Sequence, residues 1–188
     1  LSQNPEDNPN LAHIPKPLIP EAIIFNDESP IPSLSNTRSD TFFVPCLLID
    51  FSDYDYSFDR SALDDVWNLE GYSHPGKNHS GSFRDFYQEI SYKQFLPIST
   101  LSNWITSSNT HNYFAHSNPN GYDHLKEMIR TAVDALEAEG FDWSKFDNDG
   151  DGNVDALNVI HAGPGAEEGD ESNIWSHKWN LGNWAVQY

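Results

Sequence analysis

Cysteine and methionine are almost missing from this chain, basic residues are scarce, and no apolar run approaches the length of a bilayer. A single cysteine excludes an internal disulfide framework. Cys46 stands inside the apolar run FFVPCLLIDF (42–51) and reads as a small buried hydrophobe. Ten Lys and Arg oppose 29 Asp and Glu, a formal charge of −19. Such a surface repels phosphate backbones and anionic headgroups, which excludes nucleic acid as a partner and favours cations. A spanning helix needs about 20 successive apolar residues, so no membrane insertion is expected. The chain opens on Leu1, without the charged start and apolar stretch of a signal peptide. Any targeting signal is therefore expected to lie outside this sequence or to have been removed.

What is present points to a folded domain. Aromatics make up 13% of the 188 residues, enough to build a sizeable core. Residues 1–41 carry seven of the 12 prolines among Asn, Ser and Asp, and read as an extended arm, linker or propeptide remnant. Within it, AIIF (22–25) could add an edge strand. The domain itself is expected over 42–188, opening on FFVPCLLIDF as a strand buried on both faces. Helical spacing recurs in RSALDDVWNLEG (60–71), where Leu63, Val66 and Trp67 share a face. It recurs in GSFRDFYQEISY (81–92), where Ser82 and Asp85 stand as a capping box. The strongest stripe is Leu125, Met128, Ile129, Ala132, Val133 and Leu136, with Gly140 as the stop. QFLPIST (94–100) reads as a short strand, residues 103–121 as a long irregular segment, and VDALNVIHAG (154–163) as a strand. The order β, α, α, β, α, loop, β predicts a mixed α/β (α+β) domain.

The stretch KFDNDGDGNVD (145–155) has calcium chemistry in its spacing. Asp147, Asp149 and Asp151 alternate at positions 1, 3 and 5 of a loop, Gly152 allows the sharp turn, Asn153 offers a carbonyl and Asp155 a further carboxylate. Asn158 replaces the bidentate glutamate of an EF-hand, and a strand pattern follows where a helix would, so an EF-hand is not expected. A plain polar turn is the competing reading, but a turn alone gives no reason to gather four mutually repelling carboxylates. The acidic GAEEGDES (165–172) is read as a surface loop before a second ion site. His161 and His177 are each read either as cleft residues or as packed, hydrogen-bonded histidines, and Trp175, Trp179 and Trp184 either as cleft or as core.

Taken together, LLIDFSD (47–53), GSFRDFYQEISYKQF (81–95), FDWSKFDNDGDGNVDALNVIHAGPGAEE (141–168) and NIWSHKW (173–179) resemble the immune inhibitor A family of secreted zinc metallopeptidases over residues 44–188. The resemblance implies the N-terminal portion of a zincin/metzincin-like domain, with a mixed sheet and flanking helices. It implies secretion, calcium for stability, zinc for catalysis and an extended peptide or protein as substrate. It also makes the strand ending at His161, the turn at Gly163 and His177 candidates for the substrate cleft. The family's catalytic residues do not carry over. A zincin needs HExxH on a helix, and none of the eight histidines here is followed by glutamate. The zinc ligands are thus expected beyond Tyr188, and the chain alone is expected to be inactive. The alternative is a calcium-dependent binding or adhesion module on a non-catalytic zincin-like scaffold. No oligomeric state is legible.

Overall fold

In the computed structural model the described residues are 40–76, 80–115, 117–119, 121–176 and 178. Residues 1–39 of the proline-rich arm, with its AIIF strand, and His177, Trp179 and Trp184 therefore lie outside them. Strand β1 (Asp40–Phe51) leads into helices α1 (Arg60–Asn68) and α2 (Phe83–Ile90). Strand β2 (Phe95–Ser107), helix α3 (Gly121–Ala138) and strand β3 (Asn158–His161) follow, with short 3-10 turns at His111–Phe114, Trp143–Phe146 and Ala166–Glu168. The result is a small mixed α/β domain whose sheet runs β2-β1-β3.

The sheet was expected to be mixed; among the described residues it is parallel throughout. Each connection between strands passes through helix, which carries the chain back to the end where it started. The first of the described strands in chain order takes the centre, with a neighbour on each side, which explains its unbroken apolar run. Leu47, Ile49 and Phe51 pack towards α3 with Phe114, Leu125, Met128, Ala132 and Leu136. Cys46 and Leu48 face the other way, onto Leu101, Leu63 and Trp67. Cys46 is fully buried, and burial pushes its thiol up to about 12, as suits a packing residue.

Two prolines inside strands would normally argue against them, yet both sit where no ladder bond is lost. Successive residues present their backbone groups to opposite edges of a strand. Ile49 accepts from Ala162 on the β3 side, at 2.8 Å, so Pro45 also faces that side, below the level where β3 begins pairing at Cys46. Ser99 of β2 bonds outwards to Asn68, so Pro97 faces the outer edge too, the position that tolerates proline.

The short strand expected over 94–100 is instead 13 residues long. The pairing shifts between Cys46, opposite Leu101, and Leu48, opposite Trp104, so β2 carries one extra residue. Ser102 absorbs it: its hydroxyl accepts from the Leu48 amide at 3.0 Å. Beyond the bulge Trp104 and Ile105 rejoin the ladder, and Trp104 stacks on Tyr56 with centroids 5.0 Å apart. The helices follow the sequence more closely. At the start of α2 the Asp85 amide donates to Ser82 Oγ (3.1 Å) and the Ser82 amide to Asp85 Oδ2 (2.9 Å), which completes the capping box. Helix α3 stops before Gly140, whose φ of 77° turns the chain so that the Phe141 amide reaches back to the Leu136 carbonyl.

Candidate functional site

The aspartate loop wraps around its first residue. Asp147 Oδ1 accepts from the amides of Gly150 (2.8 Å) and Asp151 (3.0 Å), and Oδ2 from Gly152 (2.9 Å). Gly150 and Gly152 reach φ of 79° and 88°, which side chains disfavour. This curl brings one carboxylate oxygen each from Asp147, Asp149 and Asp151 within 4.8 Å of one another. Three anionic oxygens so close could hold a hard cation. The other two residues in the spacing are engaged elsewhere. The Asn153 side chain donates to Asp151 Oδ1 at 3.0 Å, and Asp155 Oδ2 accepts from the Asn148 amide and side chain at 2.7 and 3.0 Å.

Asn148 has no role in the alternating pattern, yet it fixes the loop to the sheet. Its Oδ1 accepts from the Phe43 amide at 2.7 Å while Nδ2 donates to the Phe43 carbonyl at 3.0 Å and the Phe146 carbonyl at 3.1 Å. The side-chain amide thus stands where β3 would continue along β1. This explains why β3 begins only at 158 within the expected 154–163: Phe43 is taken, Pro45 has no N–H, and the Asp155 amide turns to the Phe146 carbonyl.

At the carboxyl end of the sheet, His161 is half-buried and its Nδ1 lies 2.9 Å from the Ala162 carbonyl. A carbonyl only accepts, so Nδ1 donates this bond. Gly163 follows at φ 88°, where an added Cβ would stand 3.0 Å from the His111 ring and 3.3 Å from Tyr54. His111 comes from the segment expected to be irregular surface, and it is 1% exposed. Its amide donates to Asp53 Oδ1 at 2.7 Å, and its ring meets Phe51 edge-on at 5.1 Å, Tyr54 at 5.1 Å and His161 at 5.4 Å. Burial holds the His111 imidazole below its ordinary pKa and the His161 charge adds to this, while Asp53 and the nearby Pro164 carbonyl oppose it. That carbonyl misses hydrogen-bond geometry, so His111 Nε2 is buried without a partner among the described residues.

The two edges of the sheet are finished differently. Along the outer side of β2, Gln88 donates to the Phe95 carbonyl (2.6 Å), Asn68 bonds both backbone groups of Ser99 (2.8 Å each), and Arg60 donates to the Leu101 carbonyl (3.0 Å). Among the described residues β3 pairs with β1 alone. Trp175, weighed earlier as cleft or core, is 44% exposed beside the buried Ile174.

Comparison with known proteins bears on what this arrangement serves. The family described as immune inhibitor A peptidase M6, catalytic domain, matches residues 32–187. The chain is 28% identical to Immune inhibitor A of Bacillus thuringiensis subsp. alesti, with 54% of this chain and 18% of that protein covered. It is 26% identical to the pre-pro-metalloprotease PrtV of Vibrio cholerae serotype O1, over 76% of this chain and 20% of that protein. It thus spans about a fifth of the length of these relatives.

Proposed function

The chain belongs to the immune inhibitor A peptidase family, and from that premise we propose that it is the N-terminal part of a secreted, calcium-stabilised zinc endopeptidase domain of zincin-like fold. The family match across residues 32–187 carries this reading. In it, residues 42–188 belong to the catalytic domain and 1–41 form an arm or propeptide remnant ahead of it. The substrate is an extended segment of an extracellular protein, laid along β3 beside His161 and Gly163. The contrast between the two edges supports that placement, because an extended peptide adds where backbone groups are free, and α1 and α2 close off β2.

Zinc does not fit the residues present. Peptidase zinc sites use histidine nitrogens with a carboxylate, whereas the one such cluster among the described residues is three aspartates, a hard all-oxygen set. With no HExxH in the sequence, no catalytic step is assigned to this chain, and alone it is inactive. Casein hydrolysis by the purified chain, sensitive to chelators, would overturn that statement. The lack of zinc ligands also leaves a second reading, a calcium-dependent binding module. An HExxH encoded shortly after Tyr188 in the gene decides for the peptidase.

The aspartate cluster fits calcium, held by Asp147, Asp149 and Asp151 with Asn153 and Asp155 nearby. Calcium at 100 times its dissociation constant would stabilise the fold by about 2.7 kcal/mol. A clear rise in melting temperature on replacing chelator with calcium is expected, and Asp149→Ala with Asp151→Ala abolishes it. A parent protein whose melting is indifferent to calcium would sink the assignment.

A further inference from the structure

The histidine pair at the carboxyl end of the sheet lies outside the aspartate loop, and only its His161 end borders the edge assigned to substrate. His111 fills a slot walled by Phe51 and Tyr54 at the end of β1 and by Gly163 after β3. It is the wedge between the turns that follow β1 and β3, beyond the last ladder bond from the Ala162 amide to the Ile49 carbonyl. As a neutral ring it leaves one nitrogen unpaired. As a cation it would put a charge in that slot, with His161 at 5.4 Å opposing it. Among the described residues the one countercharge acting on His111 is Asp53, whose Oδ1 already accepts the His111 amide.

We propose that His111 and His161 form an acid-sensitive latch, which holds the turn at 162–165 against the end of β1 and releases it at mildly acidic pH. The surrounding groups leave few other ways to absorb a proton. Tyr54 offers an aromatic face at neutral pH. Glu167, which senses the His161 charge, is held by Ser176, whose hydroxyl donates to it at 2.7 Å. Helix α3 contributes His124 and Glu127, but both are engaged by Tyr113, through ring stacking at 3.8 Å and a 3.1 Å hydrogen bond. Protonation is then accommodated by swinging His111 out to water, which frees Gly163 and its neighbours. The sign follows from linkage. The closed form binds its proton below the free value of 6.5, so the latch is fully stable above that pH. Each unit below it favours opening by up to about tenfold, until the closed form protonates as well. The latch stands independently of the peptidase reading, since it concerns only residues present here.

Hydrogen exchange of the 188-residue chain, compared at about pH 7.5 and about pH 5.5 and corrected for intrinsic rates, tests it. Opening of segments 52–54 and 162–165 rises several-fold at the lower pH while α3 keeps its protection. In His111→Phe, which retains an aromatic wedge, the rise disappears; in His161→Gln it shrinks. Protection at 162–165 that does not change with pH overturns the latch, and so does a parent-sized rise in His111→Phe. Should His111→Phe fail to fold, a parent-sized rise in His161→Gln overturns it instead.

Discussion

Single side chains complete this sheet where strands stop. Asn68 occupies the outer rung of β2 at Ser99, and Asn148 occupies the rung of β1 at Phe43. Each amide presents one donor and one acceptor at the spacing of a peptide group, so it substitutes for one. Asn148→Leu removes both bonds at Phe43 and the side-chain bonds to the Phe146 carbonyl and to Asp155. The site is partly solvated and the Asn148 backbone amide still reaches Asp155, so a loss of about 1 kcal/mol is expected in urea unfolding, with faster exchange of the Phe43 amide. Unchanged exchange at Phe43 would refute this role. The contrast with the aspartates shows what a sequence displays at this scale. Asp147, Asp149 and Asp151 were legible because their chemistry is local, alternate carboxylates on one loop. Asn148 and His111 were not, because their partners at Phe43, Asp53 and Gly163 are distant in the chain and nothing in the neighbouring residues announces them.

Among elements, the helices were legible and the strand limits were not. The α2 box could be read from Ser82 and Asp85 because capping needs only residues three apart. Ser82→Ala should cost about 1 kcal/mol, measured by thermal or urea unfolding. The same box carries a pH dependence. Hydrogen bonds from Ser82, and then from Gly71 and Tyr72, hold the Asp85 carboxyl below the usual carboxylate range. Its contribution is present above the ordinary aspartate value and is lost as pH falls through the depressed one, so Asp85→Asn, which removes the titrating group, should flatten the acid limb of a stability profile. Strand limits depend on non-local facts instead. The bulge at Ser102 carries β2 past its polar interruption, while Pro45 and Asn148 cut β3 short.

For the whole molecule, a charge of −19 on 188 residues means the folded state works against its own field. Monovalent salt at a few tenths molar should raise the melting temperature by screening that repulsion, and calcium should raise it further at constant ionic strength. A salt effect as large as the calcium effect at matched ionic strength would mean the ion acts only as a screen. The domain class was legible from the order of elements and the family from motifs in series, but the parallel pairing was not, since strand direction is decided by how helices return the chain. The parallel arrangement also has a consequence in time. Of the described strands the central one is the first to leave the ribosome, yet Phe42 must wait for Pro97, and Cys46 for Asn158, to gain those neighbours. The greasiest segment of the domain is therefore made earliest and paired latest, so a nascent chain halted before β3 would expose it to aggregation and to chaperones.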